Sequence, residues 1–178
     1  MKEFVLTKTC FYYDYAYDID NSILEKECLT AFEKGKLVST DESSTLNEDL
    51  HIPKSKELKK VVSCIKNKFK KYYNVKLNLH SFWSQVHEKN CSSTLHNHFT
   101  PLDPSNTPVY SAAYYVKVPK DAGKIIFDYP VNSYNHTKRT WVEPEPHLFL
   151  IFPSYLNHFV TRNKSEDKRI VISFNFTV

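Results

Sequence analysis

Arg169-Ile170-Val171-Ile172-Ser173-Phe174-Asn175-Phe176 repeats with a period of two, the signature of a β-strand whose successive side chains point to opposite sides. Ile170, Ile172, Phe174 and Phe176 share one face, and Arg169, Val171, Ser173 and Asn175 share the other. The apolar face needs a second layer, either helices or another sheet, to cover it. On the opposite face, an arginine turned into a barrel is a buried charge that requires an anion. Its planar fork fits a carboxylate through two parallel hydrogen bonds, and Ser173 can donate a third. A salt bridge to Glu166 or Asp167, close by in sequence, is the plainer alternative.

Working outward from this strand, period-two or short apolar segments recur at 77–86, 95–99, 109–118, 124–129, 147–152 and 159–162, separated by polar or proline-bearing turns. Upstream the period is helical. Ile23, Leu24, Cys28, Leu29, Ala31 and Phe32 mark a helix from Asn21 to about Lys34, with Asn21 or Ser22 as cap and Gly35 as stop. Leu58, Val61, Val62, Ile65, Phe69 and Tyr72 mark a second helix capped by Ser55. Lys56, Lys59, Lys60, Lys66, Lys68, Lys70 and Lys71 lie on its other face, read as a solvated surface in preference to a nucleic-acid or membrane contact. Residues 4–17 carry Phe11, Tyr12, Tyr13, Tyr15 and Tyr17 and suit a strand or strand pair; residues 39–54 suit a polar loop. Helices followed by many short strands predict an α+β fold, with an antiparallel sandwich or barrel over the last hundred residues. A single domain, 1–178, is expected: 1–75 packs strand and helices onto a barrel formed by 76–178.

Two histidine-bearing stretches sit within that barrel. Leu95-His96-Asn97-His98-Phe99 places His96 and His98 on one face of a strand. Sixty residues on, Phe152-Pro153-Ser154-Tyr155-Leu156-Asn157-His158 offers a third imidazole. Two ligands from one strand and one from a distant stretch can enclose a metal ion. His158 precedes Arg169 by eleven residues, so a hairpin is expected to set their strands side by side. A small dicarboxylic acid would then join a metal at His158 to the guanidinium of Arg169.

Composition narrows the alternatives. The chain has 178 residues, a formal net charge of +4 and 41% hydrophobic residues, enough for a real core and too little charge to indicate nucleic-acid binding. With only two glycines, a P-loop and a Gly-x-Gly-x-x-Gly dinucleotide site are excluded. Cys10, Cys28, Cys64 and Cys91 are widely spaced and fit free thiols in a reducing compartment. No run approaches the roughly 18–20 apolar residues of a membrane span. A soluble, cytoplasmic protein is expected (in the host cytoplasm if a phage encodes it).

Taken together, the His-x-His motif, Ser111-Ala112-Ala113-Tyr114-Tyr115-Val116-Lys117-Val118-Pro119, Gly123-Lys124-Ile125-Ile126-Phe127-Asp128-Tyr129-Pro130, Phe152-Pro153-Ser154 with His158, and Arg169 to Asn175 resemble the 2-oxoglutarate/Fe(II)-dependent oxygenase superfamily. The branch they look most like is a group of small oxygenases of bacteria and their phages. The resemblance covers about residues 80–178. It implies a double-stranded β-helix (the jelly-roll, cupin-like barrel) that binds Fe(II) and 2-oxoglutarate and uses O2 to hydroxylate a substrate, releasing succinate and CO2. By position it makes His96 the first metal ligand and His158 the distal one. Arg169 becomes the residue that holds the far carboxylate of 2-oxoglutarate, assisted by Ser173 or Tyr115.

The chain departs from the superfamily at His98, where a carboxylate is usual. His98 itself can ligate, Asp128 can supply the carboxylate from another strand, or the position falls to water or an anion as in a halogenating site. His98, Asp103 and His158 are also similar to the ligands of the cupins, which would allow a different metal and reaction. A non-catalytic jelly-roll binding protein is the remaining reading. His87-Glu88 and His147 are candidates for a substrate mouth, Trp83 and Trp141 for core packing or a pocket wall, and Tyr134 to Thr140 for a polar loop over the site.

Overall fold

The computed structural model describes residues 9–34, 55–99, 107–130 and 137–178; the loop expected over 39–54, the stop at Gly35 and Asp103 lie outside them. The described chain runs β1 (Tyr12–Tyr15), α1 (Asn21–Lys34), α2 (Lys56–Tyr73), β2 (Asn78–His87), β3 (Ser93–His96), β4 (Tyr110–Lys117), β5 (Ile125–Pro130), β6 (Thr137–Trp141), β7 (Leu148–Pro153), β8 (His158–Val160) and β9 (Arg169–Thr177). Its strands form two antiparallel sheets, one ordered β1-β7-β4-β9-β2 and the other β3-β8-β5-β6. This is the α+β double-stranded β-helix anticipated above.

The larger sheet is buried on both faces, which explains why β7 reads Leu148-Phe149-Leu150-Ile151-Phe152 with no polar alternation. Phe149 and Ile151 join Ala112, Tyr114, Ile170, Ile172, Phe174 and Phe176 against the helices. Leu148, Leu150 and Phe152 turn the other way, with Ala113, Tyr115 and Val171, against the smaller sheet. Helix α2 contributes Leu58, Val61, Ile65 and Phe69, all buried. It starts where Ser55 Oγ accepts from Leu58 N at 3.0 Å and ends at Asn74, a left-handed residue whose N–H donates to Lys70 O. On its lysine face, Lys60 pairs with Glu57 and Lys68 with Asp14.

Several local expectations change. Asp20, not Asn21 or Ser22, caps α1, accepting from Ser22 N at 3.0 Å. Asn21 instead ties the helix to β4, donating to Val116 O at 2.8 Å and accepting from the Tyr114 hydroxyl at 2.7 Å. Residues 137–140, expected in a polar loop, belong to edge strand β6. β8 and β9 do not form a hairpin: β8 pairs with β3 and β5, β9 with β2 and β4. His158 and Arg169 therefore come from opposite sheets and meet across the space between them.

Candidate metal centre and the cavity behind it

Strand pairing assembles the histidines. His96 and His158 are register partners in β3 and β8, so their imidazoles project from one face as a cross-strand pair, with ring centroids 4.4 Å apart. His98 follows just past the end of β3, held there by its N–H donating to Ser154 O at 2.8 Å. Its ring lies 5.3 Å from that of His96 and 5.1 Å from that of His158. One nitrogen from each of the three lies within 4.8 Å of the others.

The hydrogen bonds fix the tautomers. His96 Nδ1 faces Thr94 O at 2.7 Å and His158 Nδ1 faces Leu156 O at 2.9 Å. A carbonyl can only accept, so each Nδ1 carries a proton, which in the neutral ring leaves the lone pair on Nε2. His98 Nδ1 faces Asn175 Oδ1 at 2.8 Å and Ser111 Oγ at 2.9 Å. The Ser111 hydroxyl donates to that same Asn175 oxygen and stands 3.0 Å from Ser154 Oγ. His98 thus has the same tautomer as the other two. Burial holds His158 down at about 3 and His98 at about 4, with neighbouring imidazoles adding to the effect. Both rings are neutral near pH 7, the form a metal requires.

Asp128 is not brought to this group. Phe127 is the register partner of His158 and shares its face, which turns Asp128 to the other side of β5. There Asp128 Oδ2 meets Arg139 Nε and Nη2, each at 3.4 Å. Trp141, expected in a core or pocket wall, is 48% exposed on the outside with Lys124 Nζ 4.6 Å from its ring centre. His147 lies away from the centre, against Tyr114 and Tyr17.

Behind the histidines a cavity between the sheets is lined by Trp83, Ser93, Tyr115, Arg169 and Ser173, among others. Trp83 is a pocket wall, its ring 5.4 Å from that of His98. Arg169 is 1% exposed. Glu166 pairs with Lys89 instead, and among the described residues no carboxylate reaches the guanidinium. The Tyr115 ring centre lies 5.5 Å from its central carbon. Burial lowers the Arg169 pKa and raises that of Tyr115. Trp83 Nε1, Ser93 Oγ, Tyr115 Oη and Arg169 Nε are all buried without a hydrogen-bond partner. The Tyr115 hydroxyl and the Arg169 guanidinium lie close enough to affect each other's pKa, and with the buried donors of Trp83 and Ser93 they suit an anionic ligand rich in acceptors.

Sequence reading missed two parts of this site. The Ser111–Ser154–Asn175 network was hidden because its members come from separate stretches that only the sheet register brings together; Asn175 sharing a face with Arg169 was the available signal. His87, expected at a mouth, is fully buried beside Arg169.

Comparisons with known proteins bear on the family and the fold. Residues 81–175, just over half of the chain, match the family described as "Putative 2OG-Fe(II) oxygenase". No curated protein matches the chain. Among solved structures, the non-heme alpha ketoglutarate dependent carbocyclase SnoK from nogalamycin biosynthesis aligns with a TM-score of 0.68 at 12% identity, covering 94% of this chain and 80% of that one. The epimerase SnoN, in complex with Fe3+, alpha ketoglutarate and nogalamycin RO, gives 0.66 at 12% identity, covering 95% and 79%. A prolyl hydroxylase from Trichoplax adhaerens, in complex with a hypoxia inducible factor peptide, gives 0.64 at 14%, covering 93% and 82%. At these identities the structural likeness speaks for the fold, whereas the family match decides between an oxygenase and the cupin-like and non-catalytic readings. The chain belongs to the 2OG-Fe(II) oxygenase family, and it is a 2-oxoglutarate- and Fe(II)-dependent oxygenase.

Proposed function

We propose that the enzyme hydroxylates its substrate at an iron held by His96, His98 and His158 through their Nε2 atoms, with Arg169 gripping the far carboxylate of 2-oxoglutarate. Fe(II) and 2-oxoglutarate, when bound, supply activation of O2 and the oxidising equivalents, with succinate and CO2 as co-products. Three imidazoles on one side of the ion leave its other positions for co-substrate and O2. His98 takes the role that Asp128 would otherwise have, because Asp128 is turned away and engaged by Arg139. Tyr115 and Ser173 line the same cavity as Arg169 and donate to the same carboxylate. The four free cysteines favour a reducing, cytoplasmic setting, and no described helix is long and apolar enough to cross a membrane.

One observation carries this reading: a buried guanidinium without a carboxylate partner among the described residues shares a cavity with three convergent histidines. Its test is metal analysis of anaerobically purified protein, then 2-oxoglutarate titration followed through the weak metal-to-ligand absorption. Arg169→Ala is expected to weaken 2-oxoglutarate by about 100-fold, the scale of a lost bidentate charge-assisted pair, and Fe(II) hardly at all. Equal loss of both would mark a folding defect, and unchanged 2-oxoglutarate binding would remove Arg169 from the site.

A further inference from the structure

Arg169 lies between side chains from the strands on either side of β9. On one side, Tyr115 of β4 turns its ring toward the guanidinium. On the other, His87 of β2 is the register partner of Arg169, and its Nδ1 lies 3.3 Å from Arg169 Nη1. A guanidinium only donates, so Nδ1 accepts and His87 is the neutral tautomer protonated at Nε2. The backbone around this pair is latched as well. Buried Asn163 donates from Nδ2 to His87 O at 2.9 Å and to Asp167 O at 2.8 Å, tying the end of β2 to the approach to β9.

The identity of this partner matters. An aspartate or glutamate here would orient the arginine equally well, but it would form an internal ion pair and compete with an incoming carboxylate. An imidazole orients without cancelling charge. We propose that His87 is a positioning residue for co-substrate binding, one that fixes the Arg169 guanidinium through an uncharged acceptor and so keeps the cation free to receive the far carboxylate of 2-oxoglutarate. Burial, together with the adjacent Arg169, holds the His87 imidazole down at about 3, so it stays uncharged across the working range. This rests on the Arg169 reading above and extends it to a residue that need not touch the co-substrate.

The test titrates Fe(II)-loaded wild type, Arg169→Ala, His87→Leu, His87→Asn and His87→Asp anaerobically with 2-oxoglutarate. In parallel they are titrated with 2-oxobutyrate, which has the same metal-binding keto-acid but no far carboxylate. His87→Leu removes the acceptor and is expected to weaken 2-oxoglutarate at least tenfold while leaving 2-oxobutyrate unchanged. His87→Asn keeps an uncharged oxygen at the δ position and restores 2-oxoglutarate to within about threefold of wild type. His87→Asp keeps an acceptor but adds charge, so it weakens 2-oxoglutarate as much as His87→Leu or more; it also tests the idea if the leucine variant does not fold. Wild-type 2-oxoglutarate affinity in His87→Asp, or in His87→Leu while Arg169→Ala is impaired, overturns the inference. Equal weakening of both acids in His87→Leu reduces His87 to a structural role and also overturns it. Unimpaired Arg169→Ala would remove the reading on which it rests.

Discussion

The two faces of the five-stranded sheet are built from the same strands and do opposite things. Toward the helices, β9 presents Ile170, Ile172, Phe174 and Phe176, all without solvent exposure, in a layer that is almost wholly apolar. Toward the smaller sheet it presents Arg169, Val171, Ser173 and Asn175, and only Val171 of these joins the inner apolar cluster. One face supplies the driving force for folding, and the other uses the resulting burial to give polar groups unusual properties. The lesson concerns the division of labour: a strand can hold a buried cation on one side because its other side is so well packed.

Substitutions that strike one face alone test this division. The largest effect is expected from His158→Ala, which removes one of the three convergent imidazoles on the cavity side, a proposed metal ligand. Turnover, measured as succinate release, should fall below detection, while metal-free protein loses about 1–3 kcal/mol because Leu156 O is left without its donor. Phe174→Ala on the helix face should do the reverse. It is expected to cost about 3–5 kcal/mol in chemical denaturation, with 2-oxoglutarate affinity of the folded fraction unchanged.

Acid should expose the cavity face next. His87, His98 and His158 are all held below the ordinary imidazole value of 6.5. The unfolded chain therefore takes up more protons than the folded one as pH falls below about 6.5, and stability falls with it. Melting temperatures of metal-free protein should be level above about pH 7 and drop steadily from about pH 6.5 toward about pH 4. A flat profile across that window would mean these rings are less buried than the fold requires. A smaller effect is expected from Ser111→Ala, which strips one partner from His98 and Asn175. Losing such a support should weaken Fe(II) about tenfold without altering 2-oxoglutarate binding to the loaded enzyme. Smallest of all, Trp141→Ala on the outer surface should change stability by no more than about 0.5 kcal/mol.

Sequence periodicity located both helices and most strands, and it assigned the faces of β9 as the structure has them. Edge strand β6 escaped because Thr137-Lys138-Arg139-Thr140-Trp141 buries no face and so carries no apolar alternation. The expected β8–β9 hairpin failed for a topological reason. Nearness in sequence suggested pairing, but β7, β8 and β9 fall alternately in the two sheets, and only long-range register could reveal it. The histidines and Arg169 were legible because their chemistry is unusual inside a barrel. Asn175, Ser111 and His87 were not, since their roles come from partners 13 to 82 residues away on other strands.

Each of the three imidazoles is anchored by its own Nδ1, and Asn97 donates to Asn157 at 2.8 Å across the two histidine-bearing stretches. Backbone and side-chain acceptors therefore set the orientation of each ring. Iron should enter this protein as a guest enters a furnished room: uptake should leave the circular dichroism spectrum unchanged and raise the melting temperature only as mass action dictates. The behaviour differs from that of small zinc domains, in which the metal organises the chain.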